Sequence, residues 1–283
     1  MQIQHFFDPA TWTLTYLVFD EEKKSAILID SVQDFDARAV RVSNASAEKV
    51  AAFIDARGLE LTHVLDTHVH ADHLTAMPFF KERYGARTVI SANVKVIQET
   101  FSKAFNDTEL PCDGSQFDVL VEDGETITCG AFEIEAIPTH GHTPASLSLR
   151  IGDAVFCGDV LFQPDSGTAR CDFPGGSAEE EWESIQRLYA LPGDTRIFTG
   201  HDYQPGGREL AFMATVDEHR ANNVHCDATT TKEQFVAKRK ELDAKKPLPA
   251  LIYQGLQVNM RAGHLPPAES NGVVFLKMPV AFL

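Results

Sequence analysis

The stretch Thr67-His68-Val69-His70-Ala71-Asp72-His73 packs three imidazoles and a carboxylate into six positions, directly after the strand-like Val64-Leu65-Asp66. Neutral imidazole and carboxylate are the usual ligands of zinc and iron. Buried without partners, such a cluster would cost several kcal/mol in desolvation, so a purely structural role accounts for it poorly. The stretch reads as a metal site delivered by a strand end.

Upstream, Thr13–Phe19 and Ser25–Ile29 are β-like and flank the charged turn Asp20-Glu21-Glu22-Lys23-Lys24. A helix follows: Ser46 can cap it, Ala47, Val50, Ala51 and Ile54 share one face, and Gly58 ends it. A strand over Thr62–Asp66 then leads into the histidine loop. This β-α-β order suits an α/β layered fold. Downstream the pattern predicts a helix over Ala76–Tyr84, a strand over Arg87–Ile90 and a helix over Val94–Phe105. Between Phe117 and Cys157 it predicts five strands. Ser177-Ala178-Glu179-Glu180 has the form of a capping box for a helix reaching Tyr189. Strand Arg196–Thr199 ends in Gly200-His201-Asp202-Tyr203. Residues 228–246 are polar and Lys-rich, a surface helix and linker. The tail from Pro247 is apolar again and too short for a core of its own, which gives a catalytic domain over 1–246 with 247–283 packed on it. Two β-rich halves with flanking helices fit a four-layer αββα sandwich.

The 283 residues, 43% of them hydrophobic, can bury a full core. A net charge of −16 argues against a nucleic-acid partner. It does not argue against small anionic substrates, because a few local Arg or Lys residues reverse the sign inside a pocket. No apolar run reaches the length of a membrane span. The opening MQIQHFFDPATWTL lacks the basic start and apolar core of a signal peptide. Five cysteines without Cys-x-x-Cys spacing suit a reduced chain. These features point to a cytoplasmic protein. The tail and Leu248–Tyr253 are the segments on which a homodimer interface would be sought.

The His-x-His-x-Asp-His string resembles the signature of the metallo-β-lactamase superfamily, whose metal site lies at one edge of an αββα sandwich. Further motifs match in order: Thr139-His140-Gly141-His142-Thr143-Pro144, Cys157-Gly158-Asp159 and Gly200-His201. The Gly-His-Thr-Pro context selects His142 over His140. A two-metal site would use His68, His70 and His142 for one ion, and Asp72, His73 and His201 for the other, with Asp159 between.

A narrower resemblance changes that expectation. Gly167-Thr168-Ala169-Arg170-Cys171-Asp172-Phe173-Pro174-Gly175-Gly176 is similar to the Thr-Ala-Arg-x-Asp-Phe segment of persulfide dioxygenases. Thr215-Val216-Asp217-Glu218-His219-Arg220 and Val258-Asn259-Met260-Arg261-Ala262-Gly263 continue the likeness. The resemblance implies one Fe(II) per chain held by His68, His142 and Asp159, a 2-His-1-carboxylate set. It places His70, Asp72, His73 and His201 behind those ligands or at a second ion. It also implies oxidation of glutathione persulfide with O₂ and water to sulfite and glutathione, a sulfide-detoxifying reaction. Thr143, Arg170, Tyr203 and Arg220 would then contact the glutathionyl group, Arg through its planar fork. Other uses are open to these residues: Arg170 can pair with Asp165 or Asp172, Arg220 can sit on a solvated helical face, and Tyr203 can be a core ring. Cys171 reads as a packed residue. The competing reading is a glyoxalase II-like binuclear zinc thioesterase acting on acyl-glutathione.

Overall fold

The computed structural model describes residues 1–280. The chain opens with β1 (Gln2–Asp8), β2 (Thr13–Asp20) and β3 (Ser25–Ile29), then β4 (Val32–Asp36), β5 (Arg41–Ser43), helix α1 (Ala45–Arg57) and β6 (Glu60–Leu65). Next come β7 (Leu74–Thr75), α2 (Met77–Tyr84), β8 (Arg87–Ser91), α3 (Val94–Ala104) and β9 (Val119–Val121). The second half carries β10 (Thr126–Cys129), β11 (Phe132–Pro138), β12 (Leu147–Ile151), β13 (Ala154–Phe156) and α4 (Ala178–Tyr189). It closes with β14 (Arg196–Phe198), β15 (Met213–Thr215), α5 (Val216–Asn222), α6 (Lys232–Asp243) and α7 (Ile252–Asn259).

Strand periodicity explains the layers. Alternate residues of a strand face opposite sides of its sheet. In β2, Leu14, Tyr16 and Val18 join one buried cluster, while Leu17 and Phe19 join another. In β13, Ala154 and Phe156 meet that first cluster, while Val155 faces a third. The first cluster therefore lies between two six-stranded sheets, β1-β2-β3-β6-β8-β9 and β10-β11-β12-β13-β14-β15. The second lies under α1, α2, α3 and α7, and the third under α4, α5 and α6. The order is helices, sheet, sheet, helices, the four-layer sandwich anticipated from the sequence. Strands buried on both faces read as continuous apolar runs, which is why β2 and β3 were legible.

Several boundaries differ from expectation. Helix α1 begins after Asn44, and Ser46 instead donates its backbone N–H and hydroxyl to Asp34, at 2.9 and 2.8 Å. Gly58 does end α1, at φ +58°. Ser177 caps α4 by accepting the Glu180 N–H, although the reciprocal half of the box is missing. Strand β1 was not anticipated; its Gln2 is exposed, its Ile3-Gln4-His5 half-buried, and it pairs antiparallel with β2. Helix α6 is not a simple surface helix, since it buries Phe235, Arg239 and Asp243. In the tail, α7 packs into the helical layer beside the first sheet through Ile252 and Leu256. The last three residues of that tail lie outside the described ones. Among the described residues, no helix is long and apolar enough to cross a membrane.

Candidate metal centre

The loop after β6 owes its shape to Asp30, which follows β3. One carboxylate oxygen of Asp30 accepts the Thr67 N–H at 2.7 Å, and the other accepts the Thr67 hydroxyl at 3.0 Å. That hydroxyl, already donating, can only accept from His68 Nδ1, 3.1 Å away. The proton on Nδ1 leaves a lone pair on His68 Nε2, which is buried without a partner. The same reasoning orients its neighbours. His70 donates Nε2–H to Asp30 at 3.1 Å and turns an unpartnered Nδ1 inward. His73 donates Nδ1–H to the Leu74 carbonyl at 3.1 Å and leaves Nε2 unpartnered. His142 donates Nδ1–H to the Arg170 carbonyl at 2.7 Å.

Asp159 reaches the cluster because Gly158, at φ +51°, turns the chain sharply after β13; a Cβ there would sit 2.4 Å from the Thr67 hydroxyl. Asp159 Oδ2 stands 3.7 Å from His142 Nε2, and Oδ1 stands 3.3 Å from His201 Nε2. His201 Nε2 lies equally 3.3 Å from Asp72. The donor atoms of His68, His142 and Asp159 lie within 4.8 Å of one another, as do those of His70, Asp72 and His73. Buried polar atoms are almost always paired, so this many orphans aimed at one another fit a cation-binding site.

Electrostatics sets His70 apart from His68 and His73. Desolvation, followed by the charges of neighbouring imidazoles, holds His68 well below the ordinary histidine value. Desolvation and His70 push His73 down to about 4. Both therefore present the neutral imidazole that a metal needs. Burial alone would lower His70 too, but the Asp30 charge and hydrogen bond raise it to about 10.

Residues 13–201 match the metallo-β-lactamase superfamily model. The chain belongs to this superfamily. It is 44% identical to a probable metallo-hydrolase of Burkholderia pseudomallei (strain 1710b), over 99% of each chain. It is 40% identical to glyoxylase B2 of Dictyostelium discoideum, over 100% of this chain and 98% of that one. Identity to the mitochondrial persulfide dioxygenase ETHE1 of Homo sapiens is 31%, over 92% of this chain and 88% of the relative. The crystal structure of ETHE1 from Myxococcus xanthus superposes with a TM-score of 0.75 at 30% identity, covering 93% of this chain and 100% of that one. An enzymatic metal centre on the superfamily's sandwich follows from these likenesses.

Beside the cluster opens a cleft of about 350 Å³. Trp12, Phe162, Phe173 and Tyr203 give it an aromatic wall, and the Pro-rich segment from Lys246 to Leu251 closes one side. Tyr203 stacks on His201 with ring centroids 5.6 Å apart. Trp12 sits at φ +57°, an uncommon conformation for a bulky residue, at the tip of the β1–β2 hairpin.

The superfamily fold thus brings together all seven expected metal-side residues, and it places Tyr203 and Arg170 in the cleft wall. Arg170 is already engaged: its fork holds Asp172 at 2.6 and 2.8 Å, one of the two pairings foreseen for it. Thr143 bonds Ser146 at 2.8 Å and borders a small apolar void with Val69, Phe101 and Ile252 rather than the cleft. Arg220 departs from its expected place. It lines a separate cavity with Trp182, Gln186 and Tyr189 and lies 3.8 Å from Asp217. Sequence reasoning missed Asp30, Glu181, Lys246 and Asn259. Asn259 donates its amide to the His70 and His73 carbonyls, at 2.8 and 2.7 Å, and accepts the Thr75 N–H at 2.9 Å. Its only signal was membership of the quoted tail motif.

Proposed function

We propose that this chain is a persulfide dioxygenase that oxidises glutathione persulfide with O₂ and water to sulfite and glutathione at one Fe(II) held by His68, His142 and Asp159. The observation that carries the reading is the grouping of those three donors beside an open cleft, while His70 is tied to Asp30 behind them. Two imidazoles and one carboxylate on one face are the donor set of non-haem iron oxygenases. A bound Fe(II) would supply adjacent open positions at which a persulfide sulfur and O₂ meet.

The remaining work falls to the protein. Asp30, acting through the Thr67 hydroxyl, and the Arg170 carbonyl fix the tautomers of His68 and His142, so both lone pairs point inward without reorganisation. The aromatic wall offers a surface on which the apolar part of the substrate can pack. His201 stands beside Asp159 with Tyr203 stacked on its ring, and both are candidate donors to an oxygen of the reacting substrate. The likenesses to ETHE1 at 30–31% identity support this reading.

A second reading has its own support. His70, Asp72 and His73 also converge within 4.8 Å, and a relative at 40% identity is called glyoxylase B2. Two ions would then activate water for hydrolysis of an acyl-glutathione thioester. Metal analysis of protein purified without added metal, with oxygen uptake on glutathione persulfide, separates the two. About one iron per chain with persulfide-dependent uptake supports the dioxygenase. Two zinc ions, no uptake and acyl-glutathione hydrolysis would replace it with the thioesterase.

A further inference from the structure

The cleft carries charge of both signs. Asp72 and Asp159 stand at the metal end, and the cations that line it are Arg170 and Lys246. An anionic substrate drawn toward two carboxylates needs a cation to receive it, and these two differ in what they already hold. Every arm of Arg170 is committed, two nitrogens to Asp172 and Nη1 to the Pro247 carbonyl at 2.6 Å. Its guanidinium also lies 4.9 Å from the Phe173 ring centre. Releasing it for a ligand would break a bidentate charge-assisted pair. Lys246 is the residue before Pro247, exposed at the rim, and its ammonium forms no hydrogen bond or ion pair among the described residues. Partial burial of its stem, then the Arg239 charge, hold its pKa below the usual lysine value, although Asp243 and Asp172 oppose the shift.

We propose that Lys246 is the carboxylate-binding residue of this cleft, and that Arg170 latches the segment from Lys246 to Leu251 instead of clamping the substrate. The ligand class is a thiol compound carrying a carboxylate some distance from its sulfur; naming it as glutathionyl rests on the function proposed above. A lysine suits this role because its compact charge on a flexible stem can follow a carboxylate that is not held in one fixed plane. Arg170 then acts at one remove, holding the wall against which the ligand packs and presenting its own carbonyl to His142.

The test is calorimetric binding of S-methylglutathione and of its dimethyl ester to the metal-loaded wild type, Lys246→Met, Lys246→Arg and Arg170→Met, with oxygen uptake on glutathione persulfide in parallel. Lys246→Met should weaken S-methylglutathione about five- to tenfold, the low end for a hydrogen-bonded charge because the site is exposed. The diester should be unaffected, Lys246→Arg should restore binding, and the kinetic effect should fall on KM rather than kcat. Arg170→Met should weaken both ligands alike, since it releases the wall; a loss confined to the anionic ligand would overturn the latch. Unchanged S-methylglutathione affinity in Lys246→Met overturns the anchor, and if oxygen uptake persists the dioxygenase reading survives it. Lys246-dependent binding without any oxygen uptake keeps the anchor and removes the dioxygenase. Absence of both binding and uptake in the wild type overturns both.

Discussion

Glu181 on α4 accepts the backbone N–H of His142 at 2.9 Å, while its second carboxyl oxygen is buried without a partner. The contact holds the loop that carries a proposed ligand. Gly141 beside it lies so close to α4 that a Cβ would come within 2.3 Å of the Glu181 nitrogen. Burial raises the Glu181 pKa well above the carboxylate range, against the lowering effect of the His142 N–H. Glu181→Gln keeps an acceptor and should keep metal affinity. Glu181→Leu strands the His142 N–H, at about 1–3 kcal/mol, and should raise the metal dissociation constant about tenfold. Chelator competition on both variants measures this; equal affinities would show that Glu181 does not position His142.

Asn259→Ala removes three buried hydrogen bonds at once, leaving the His70 and His73 carbonyls and the Thr75 N–H without partners. The expected loss is about 2–4 kcal/mol of stability, with metal affinity falling as the loop loosens. Asn259→Asp keeps the acceptor but faces both carbonyls with an oxygen, so it should be no better than alanine. Denaturant melts with and without metal distinguish the outcomes, and an Asp variant near wild type would contradict the assigned bonds.

Arg239 and Asp243 form a buried pair on α6, at 2.6 and 2.9 Å, that also reaches the 168–171 segment. Arg239 donates to the Thr168 carbonyl at 3.0 Å, and Asp243 accepts the Cys171 N–H at 2.9 Å. Removing one partner of such a pair strands a buried charge, so Arg239→Met alone should cost about 3–5 kcal/mol. The double replacement Arg239→Met with Asp243→Leu should recover part of that loss. Urea unfolding of Arg239→Met, Asp243→Leu and the double variant checks it; a double as damaged as the sum of the two singles would remove the coupling.

The buried His219 gives a pH dependence of defined sign. Desolvation pushes its pKa down to about 4, and its Nε2 has no partner. In the unfolded chain histidine titrates near about 6.5. On acidification the unfolded state takes up the proton first, so this contribution is complete above that pH and is lost toward pH 4. The loss is up to about 1.4 kcal/mol per pH unit. His225, lowered to about 4 by burial and then by Arg239, acts in the same direction. Melts of wild type and His219→Gln should therefore converge between pH 7 and pH 5; a constant difference would mean that His219 does not titrate in this window.

The sandwich was readable because its central strands are apolar on both faces and its helices carry local stop signals such as Gly58. Strand β1 was not, since its mixed pattern becomes a strand only by pairing with β2. Helix α6 looked solvated because a buried Arg239 and an exposed lysine are alike in sequence; what separates them is a partner on another segment.

At the site, the sequence by itself determined which donors exist. Three histidines and an aspartate within six residues must lie close together, whatever the rest of the chain does. Tertiary structure alone decided which nitrogen of each ring faces inward. For His70 that choice rests on Asp30, 40 residues before it, and for His142 on the Arg170 carbonyl, while the backbone of the loop rests on Asn259, 186 residues after His73. It also decided that Arg170 is engaged, that Arg220 lies at another cavity and that Lys246 stands free at the cleft. A charge has no role until the fold sets its distance to a partner, and residue order does not encode those distances.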